Sequence, residues 1–140
     1  MAAGVDIYDV YVLENAKSQA YSVGGGNHIT INSDDTTLDD VTSGDLVVVD
    51  RLVGVALTDY NDYTGEVAID ISGVHNIEVV AQDDDGNEDI FIGTPLFYDI
   101  NNACVDAEPS IYPVGRALEY LAGGQVAVIA VKLGWVGAST

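Results

Sequence analysis

Positive charge is the scarcest thing in this chain. Lys17, Arg51, Arg116 and Lys132 are its four bases against 23 acids, a formal net charge of −19 over 140 residues. Phosphate contact needs clustered lysine and arginine, and these four are scattered, so no nucleic-acid partner is expected. Cysteine is scarcer still. Cys104 stands alone, which excludes an intramolecular disulfide and leaves a small apolar side chain as its expected role. No run of 18 apolar residues exists, so no helix crosses a membrane and no membrane partner is expected. The opening MAAGVDIYDVYVLENAK has neither the basic start nor the apolar stretch of a secretory signal, so the chain is expected to be made and used without export.

Catalytic chemistry is missing as well. His28 and His75 are the only histidines, each in a strand-like stretch that suggests packing or surface exposure. No base therefore stands beside a candidate nucleophile. No Cys/His cluster suits zinc, no His-Glu-x-x-His occurs, and GGGN at 24–27 lacks the strand-to-helix setting that phosphate binding requires. Acids are so numerous that close pairs arise by chance, and nothing marks two carboxylates with separated roles in a cleft. The expectation is a protein that is not an enzyme.

What the chain does have is an apolar interior and an acidic exterior. Apolar residues make up 48% of it, enough for a single domain of this length to form a core without disulfides. Seventeen of the acids are Asp and six are Glu. Such a surface repels itself at low ionic strength, and the repulsion fades in molar salt, where the Debye length falls to about 3 Å. Two readings follow: adaptation to high salt, as in an extreme halophile or its virus, or a mesophilic acidic protein that binds Ca²⁺ or a basic partner.

The chain also repeats itself. Residues 44–57 read GDLVVVDRLVGVAL, followed after a gap by EVAIDISGV at 66–74. Residues 93–118 open with GTPLFYD and close with PVGRAL, followed after a gap by QVAVIAVKLGWV at 125–136. Each copy is a Gly-led apolar strand, then V-G-x-A-L, then a Gly-containing turn, then an alternating Val/Ala strand. Further strands are expected within 5–13, at 28–32 and at 75–81, where β-branched and aromatic residues dominate or alternate with polar ones. Residues 33–45 and 101–112 read as loops, QDDDGNED as a tight acidic turn, and ALEYLAGG at 117–124 as a loop or one helical turn. Many short strands with turn signals and no helical periodicity predict an all-β fold, a compact β-barrel or sandwich of short, mostly antiparallel strands with an N-terminal extension.

Two sets of residues are candidates for sites. Asp83, Asp85, Asn87 and Asp89 surround Gly86 with oxygen ligands that suit Ca²⁺, although the spacing is not that of an EF-hand; a solvated hairpin tip is the alternative, and otherwise no cofactor is expected. Tyr8, Tyr11, Tyr60, Tyr63, Tyr112, Tyr120 and Trp135 are candidates for contacts with neighbouring subunits, because Tyr and Trp bury area while keeping a polar handle. The alternative is that they cap the core.

The order GDLVVVDRLVGVALTD, EVAIDISGV, GTPLFYD, VGRALE and VAVIAVKL resembles the small capsid-decoration, or head cement, proteins of tailed phages. The resemblance spans about 41–133 and includes Gly44, Asp45, Gly54, Gly73, Asp99, Gly115 and Leu118. It implies a structural virion protein: a compact β-barrel that assembles as a homotrimer on the outer surface of an icosahedral head and cements capsomers. The implied partners are the major capsid protein and further copies of itself. With the charge, the source becomes a haloarchaeal virus and the place of synthesis its host's cytoplasm. The chain departs from the family in the roughly 40 residues before the core and in the long stretch 101–112. The division expected is an N-terminal arm or added hairpin at 1–40, a decoration domain at 41–136 and a tail at 137–140. The competing function is a halophilic β-domain that binds carbohydrate or Ca²⁺, as in a virion spike; a small hydrolase using paired Asp is the third.

Overall fold

The alternation of apolar and polar residues along most of the chain places side chains on opposite faces of a pleated strand, and strands are what form. The computed structural model describes residues 10–13, 28–32 and 36–134. In chain order these contain β1 (Val10–Leu13), β2 (His28–Asn32), a 3-10 helix (Thr36–Asp40), β3 (Leu46–Val49), β4 (Leu52–Ala56), β5 (Glu66–Asp70) and β6 (Gly73–Val80). There follow β7 (Gln82–Asp83), β8 (Gly86–Asn87), β9 (Pro95–Asp99), β10 (Cys104–Asp106), β11 (Pro113–Ala117) and β12 (Val126–Leu133). The all-β expectation holds, and no α-helix occurs among the described residues.

The strands form two five-stranded antiparallel sheets, ordered β1-β3-β4-β5-β2 and β10-β9-β11-β12-β6, and a β7-β8 ribbon. The doubled phrase is the middle of each: β3-β4-β5 in the first sheet and β9-β11-β12 in the second. The second sheet curls into a half-barrel, so that β10 packs beside β6 although the two lie at opposite ends of the strand order. The Ala107 N–H donates to the Gln82 carbonyl at 2.9 Å across that closure.

Apolar side chains from both sheets fill the half-barrel. Leu46, Val48, Val53 and Val55 of the first sheet pack with Ile77, Val79, Leu96, Tyr98, Ile129 and Val131 of the second. The opposite face of the first sheet is covered too: Val47, Val49, Val67 and Ile69 pack with Leu38 and Val41 from the 3-10 turn region. That double cover explains why Leu46–Val49 is an uninterrupted apolar run, since a strand buried on both faces has no polar side to alternate with. It also places Leu38, one apolar residue in an acidic stretch, at full burial.

The glycine of V-G-x-A-L does the same work in both copies. A Cβ on Gly54 would lie 2.8 Å from the Asp70 carbonyl oxygen, and one on Gly115 would lie 1.9 Å from the Lys132 carbonyl oxygen. In each sheet the neighbouring strand passes over the glycine too closely for any side chain.

One local expectation is corrected. Residues 101–112 are not a plain loop: β10 pairs with β9, Cys104 opposite Asp99 and Asp106 opposite Phe97. Three residues with one central valine are too short to show a period. Of the two readings of residues 117–124 the loop holds, with Leu121 bridging Ile90. Of the residues ahead of 41, β1 pairs with β3 and β2 with β5, as the two outer strands of the first sheet.

Candidate functional site

The aromatic candidates separate by burial. Tyr63 is 99% exposed at the β4–β5 turn, and Tyr120 is 55% exposed with its ring 5.7 Å from that of Phe91. Tyr60 is half-buried against the core beneath the first sheet. Tyr112 is a correction: it is only 6% exposed, because the half-barrel closes over it and its ring meets that of Tyr98 edge-on at 6.2 Å. It fills the core and offers nothing to a neighbour. Tyr11 is placed by its backbone alone, opposite Val48. Tyr8 and Trp135 lie outside the described residues.

The acidic candidates separate as well. Gln82 pairs with Asn87 and Asp83 with Gly86, so QDDDGN is a hairpin whose tip is Asp84-Asp85. Asp83, Asp84 and Asp85 bring carboxylate oxygens within 4.8 Å of one another, and the Asp85 N–H donates to Asp83 Oδ1 at 2.9 Å. Asp89 does not join them: its Oδ1 accepts the Gly123 N–H at 2.7 Å. Asp83 and Asp85 could therefore share a cation with Asp84 on an exposed tip, without Asp89.

A buried carboxylate cluster at the β9–β10 hairpin was not visible in the sequence. Asp99 and Asp106 are 3% and 0% exposed, and with Cys104 they place ligand-type atoms within 4.8 Å of one another. Asp99 organises the turn: its Oδ1 accepts the N–H groups of Asn101 and Asn102 at 3.0 and 3.2 Å, and its Oδ2 accepts Asn102 Nδ2 at 2.7 Å. Asp106 ties the hairpin to the rest of the fold: Oδ2 accepts Gln82 Nε2 at 2.9 Å, and Oδ1 accepts the Glu108 N–H at 3.0 Å. Burial pushes the Cys104 thiol up to about 12, with the Asp106 charge adding to it, so the sulfur stays protonated and is a poor metal ligand or nucleophile.

The two buried carboxyls diverge. Burial raises Asp106 to about 6. Burial acts on Asp99 in the same sense, but hydrogen bonds from Asn102, Asp106 and Glu108 outweigh it and leave Asp99 below the ordinary carboxylate value. Below about pH 6 Asp106 thus holds the proton while Asp99 holds the charge. Asp106 favours the folded state fully below its unfolded value of 3.8, and this contribution is lost as pH rises through about 6. Asp106→Asn should therefore melt close to wild type at pH 4 and above it at pH 8, once Gln82 turns its amide to meet the new donor. Melting curves across that range check this; a variant no more stable than wild type at pH 8 would contradict it.

The other buried polar pair joins the two sheets' segments in sequence. Asp70 ends β5 and His75 lies in β6; Nε2 of His75 stands 2.9 Å from Asp70 Oδ2, with side chains 0% and 3% exposed for His75 and Asp70. Shut away from solvent, the pair fixes the β5–β6 turn. The acids of the two repeat phrases have similar duties. Asp45 Oδ2 accepts the Thr42 N–H at 3.0 Å and its hydroxyl at 3.2 Å, as Asp99 does for its own turn. Of the surface indentations, one of about 220 Å³ is lined by Arg51, Leu52, Val53, Ile71, Pro113, Val114 and Gly134, a lining without an acid or base pair for proton transfer.

The described polar groups therefore hold turns and hairpins, and what remains for interaction is surface: the Tyr63 turn, the acidic tip and the outward residues of the second sheet. No curated protein and no solved structure matches this chain. The model of one family does, that of the phage cement proteins, which are structural components of the virion capsid. It matches residues 23–133, from ahead of β2 to the end of β12 and so across both sheets, and the chain belongs to the phage cement protein family.

Proposed function

We propose that this chain decorates the outer surface of an icosahedral head as a homotrimer, bound to the major capsid protein, in a tailed virus whose host lives in high salt. Residues 1–40 contribute to the domain itself, with β1 and β2 as the outer strands of its first sheet and Leu38 in its core. Synthesis takes place in the host cytoplasm, and the reading requires no cofactor. The observation that carries it is the family match across both sheets. The salt assignment rests on the −19 charge, since acid-rich surfaces repel each other until salt screens them.

Cementing works through buried area and multiplicity. A standard interface buries roughly 1,200–2,000 Å², and three linked contacts bind with avidity. In molar salt, exposed ion pairs contribute little, so apolar and tyrosine contacts with backbone pairing hold the subunit down. Binding to purified heads, followed by pelleting, should persist or strengthen as KCl rises from about 0.1 M to about 1 M, where screening removes the repulsion. A chain that stays monomeric in molar salt and never pellets with heads would sink the proposal.

A further inference from the structure

Acids dominate the loops of this protein, and one face of the second sheet is free of that pattern. In β12 the alternation sends Ile129, Val131 and Leu133 into the core and leaves Val126, Val128 and Lys132 exposed. The paired strand β6 matches it: Val80 stands opposite Val126, Glu78 opposite Val128 and Val74 opposite Lys132. On the other side Arg116 stands opposite Lys132, and the Leu118 N–H donates to the Ala130 carbonyl at 2.9 Å. The apolar surface continues past the strands. Ile90 and Leu121 exchange hydrogen bonds, which brings exposed Phe91, followed in the chain by exposed Ile92, alongside Tyr120.

Nine large apolar side chains are exposed among the described residues, and six of them are in this one region: Phe91, Ile92, Leu118, Tyr120, Val126 and Val128, with Ile92 at 72% and Val126 at 56%. At such exposures they present on the order of 500 Å², near the top of what a monomer normally shows and more than half of the roughly 800 Å² that each partner gives a standard interface. The charges are equally unusual for this chain. Two of the four bases, Arg116 and Lys132, are register neighbours here, and the acids of the same region are Glu78, opposite Val128, and Glu119, whose Oε2 accepts the Ala130 N–H at 2.6 Å.

We infer that this face, the outward side of β6 and β12 with the Phe91–Tyr120 corner, is where a second copy of the chain docks. The inference rests on the oligomer in the proposal above and names the surface that builds it. Two copies of a −19 chain meeting through any acid-rich loop would set like charges against each other. A ring of three is built from head-to-tail contacts, and an apolar centre bordered by both signs of charge can meet a neighbouring copy there with little repulsion.

Sedimentation velocity in about 2 M KCl, with and without purified heads, tests it. Three proteins are compared with wild type: Val126→Glu, the milder double variant Val126→Thr/Val128→Thr, which keeps the β-branched shape the strand needs, and Asp39→Asn, an exposed position in the 3-10 helix, as a control away from this face. Wild type and the Asp39 variant should sediment as oligomers. The double variant, with an unchanged far-UV circular dichroism spectrum, should associate at least ten-fold more weakly, and Val126→Glu should be monomeric. A double variant that is folded and as oligomeric as wild type overturns the inference whatever becomes of Val126→Glu. So does a wild type that is monomeric when free and loses its hold on heads only when this face is changed; that result would assign the face to the capsid protein and leave the cement reading standing. Oligomers abolished by the double variant, with no form pelleting with heads, would support the interface while removing the cement reading.

Discussion

Gly115→Ala is expected to destabilise the protein by about 4 kcal/mol, at the far end of what a single methyl group does. Alanine ordinarily improves a strand position relative to glycine, by roughly 0.5–1 kcal/mol, so the sign itself is informative. The added Cβ would sit 1.9 Å from the Lys132 carbonyl oxygen, 2.8 Å from its carbon and 3.0 Å from the Leu133 Cα. All three are backbone atoms of β12, and no rotamer change relieves the contact; β11 and β12 would have to separate. Gly54→Ala, at the same place in the first copy of the phrase, meets the Asp70 carbonyl oxygen at 2.8 Å and the movable Ile69 Cδ1 at 3.2 Å. It should cost less, about 2 kcal/mol. Urea unfolding in molar KCl gives the order. Equal midpoints for wild type and Gly115→Ala, or a larger loss at Gly54, would show that the sheets do not pass over these glycines as described.

Removing one member of the buried Asp70–His75 pair should be comparably severe. Asp70→Ala is expected to cost up to about 3 kcal/mol, because it takes the carboxylate partner from a buried imidazole. Asp70→Asn, which retains an oxygen for the contact at Nε2, should keep more than half of that. Asp70→Ala combined with His75→Leu should recover part of the loss, since replacing both polar partners costs less than orphaning one. Asp70→Ala, His75→Leu and their combination form a double-mutant cycle with wild type, read by denaturant midpoints at pH 7. If Asp70→Ala lies within about 0.5 kcal/mol of wild type, as a surface substitution would, the pair is not the closed contact seen here.

The two predictions differ in how far the sequence announces them. Gly54 and Gly115 are visible as the shared letter of V-G-x-A-L, but nothing in the letters says that a carbonyl lies on top of each. Asp70 and His75 are five residues apart, and their contact depends on how β6 turns back after β5. The buried trio of Asp99, Cys104 and Asp106 was less visible still. Among 23 acids, nothing marks Asp99 and Asp106 as buried, and only the curl that brings β10 beside β6 takes them out of water. Tyr112 was misjudged for a related reason: a tyrosine near a turn looks alike whether the sheet closes over it or not. The Asp83–Asp85 tip was legible because a hairpin is decided by neighbouring residues.

By itself, the sequence determined what is local. The period of apolar residues set most of the strands, Gly and Asp set the turns between them, the repeated phrase announced two related halves, and the ratio of acids to bases set the character of the surface. The tertiary structure alone decided which apolar residues stay outside. Val126 and Val128 are indistinguishable in sequence from Val131, because a strand of small apolar residues on both faces has no polar side to mark the exterior. Only the packing of the first sheet against one side of β12 buries Ile129, Val131 and Leu133 and leaves the other side, with Arg116 and Lys132, facing outward.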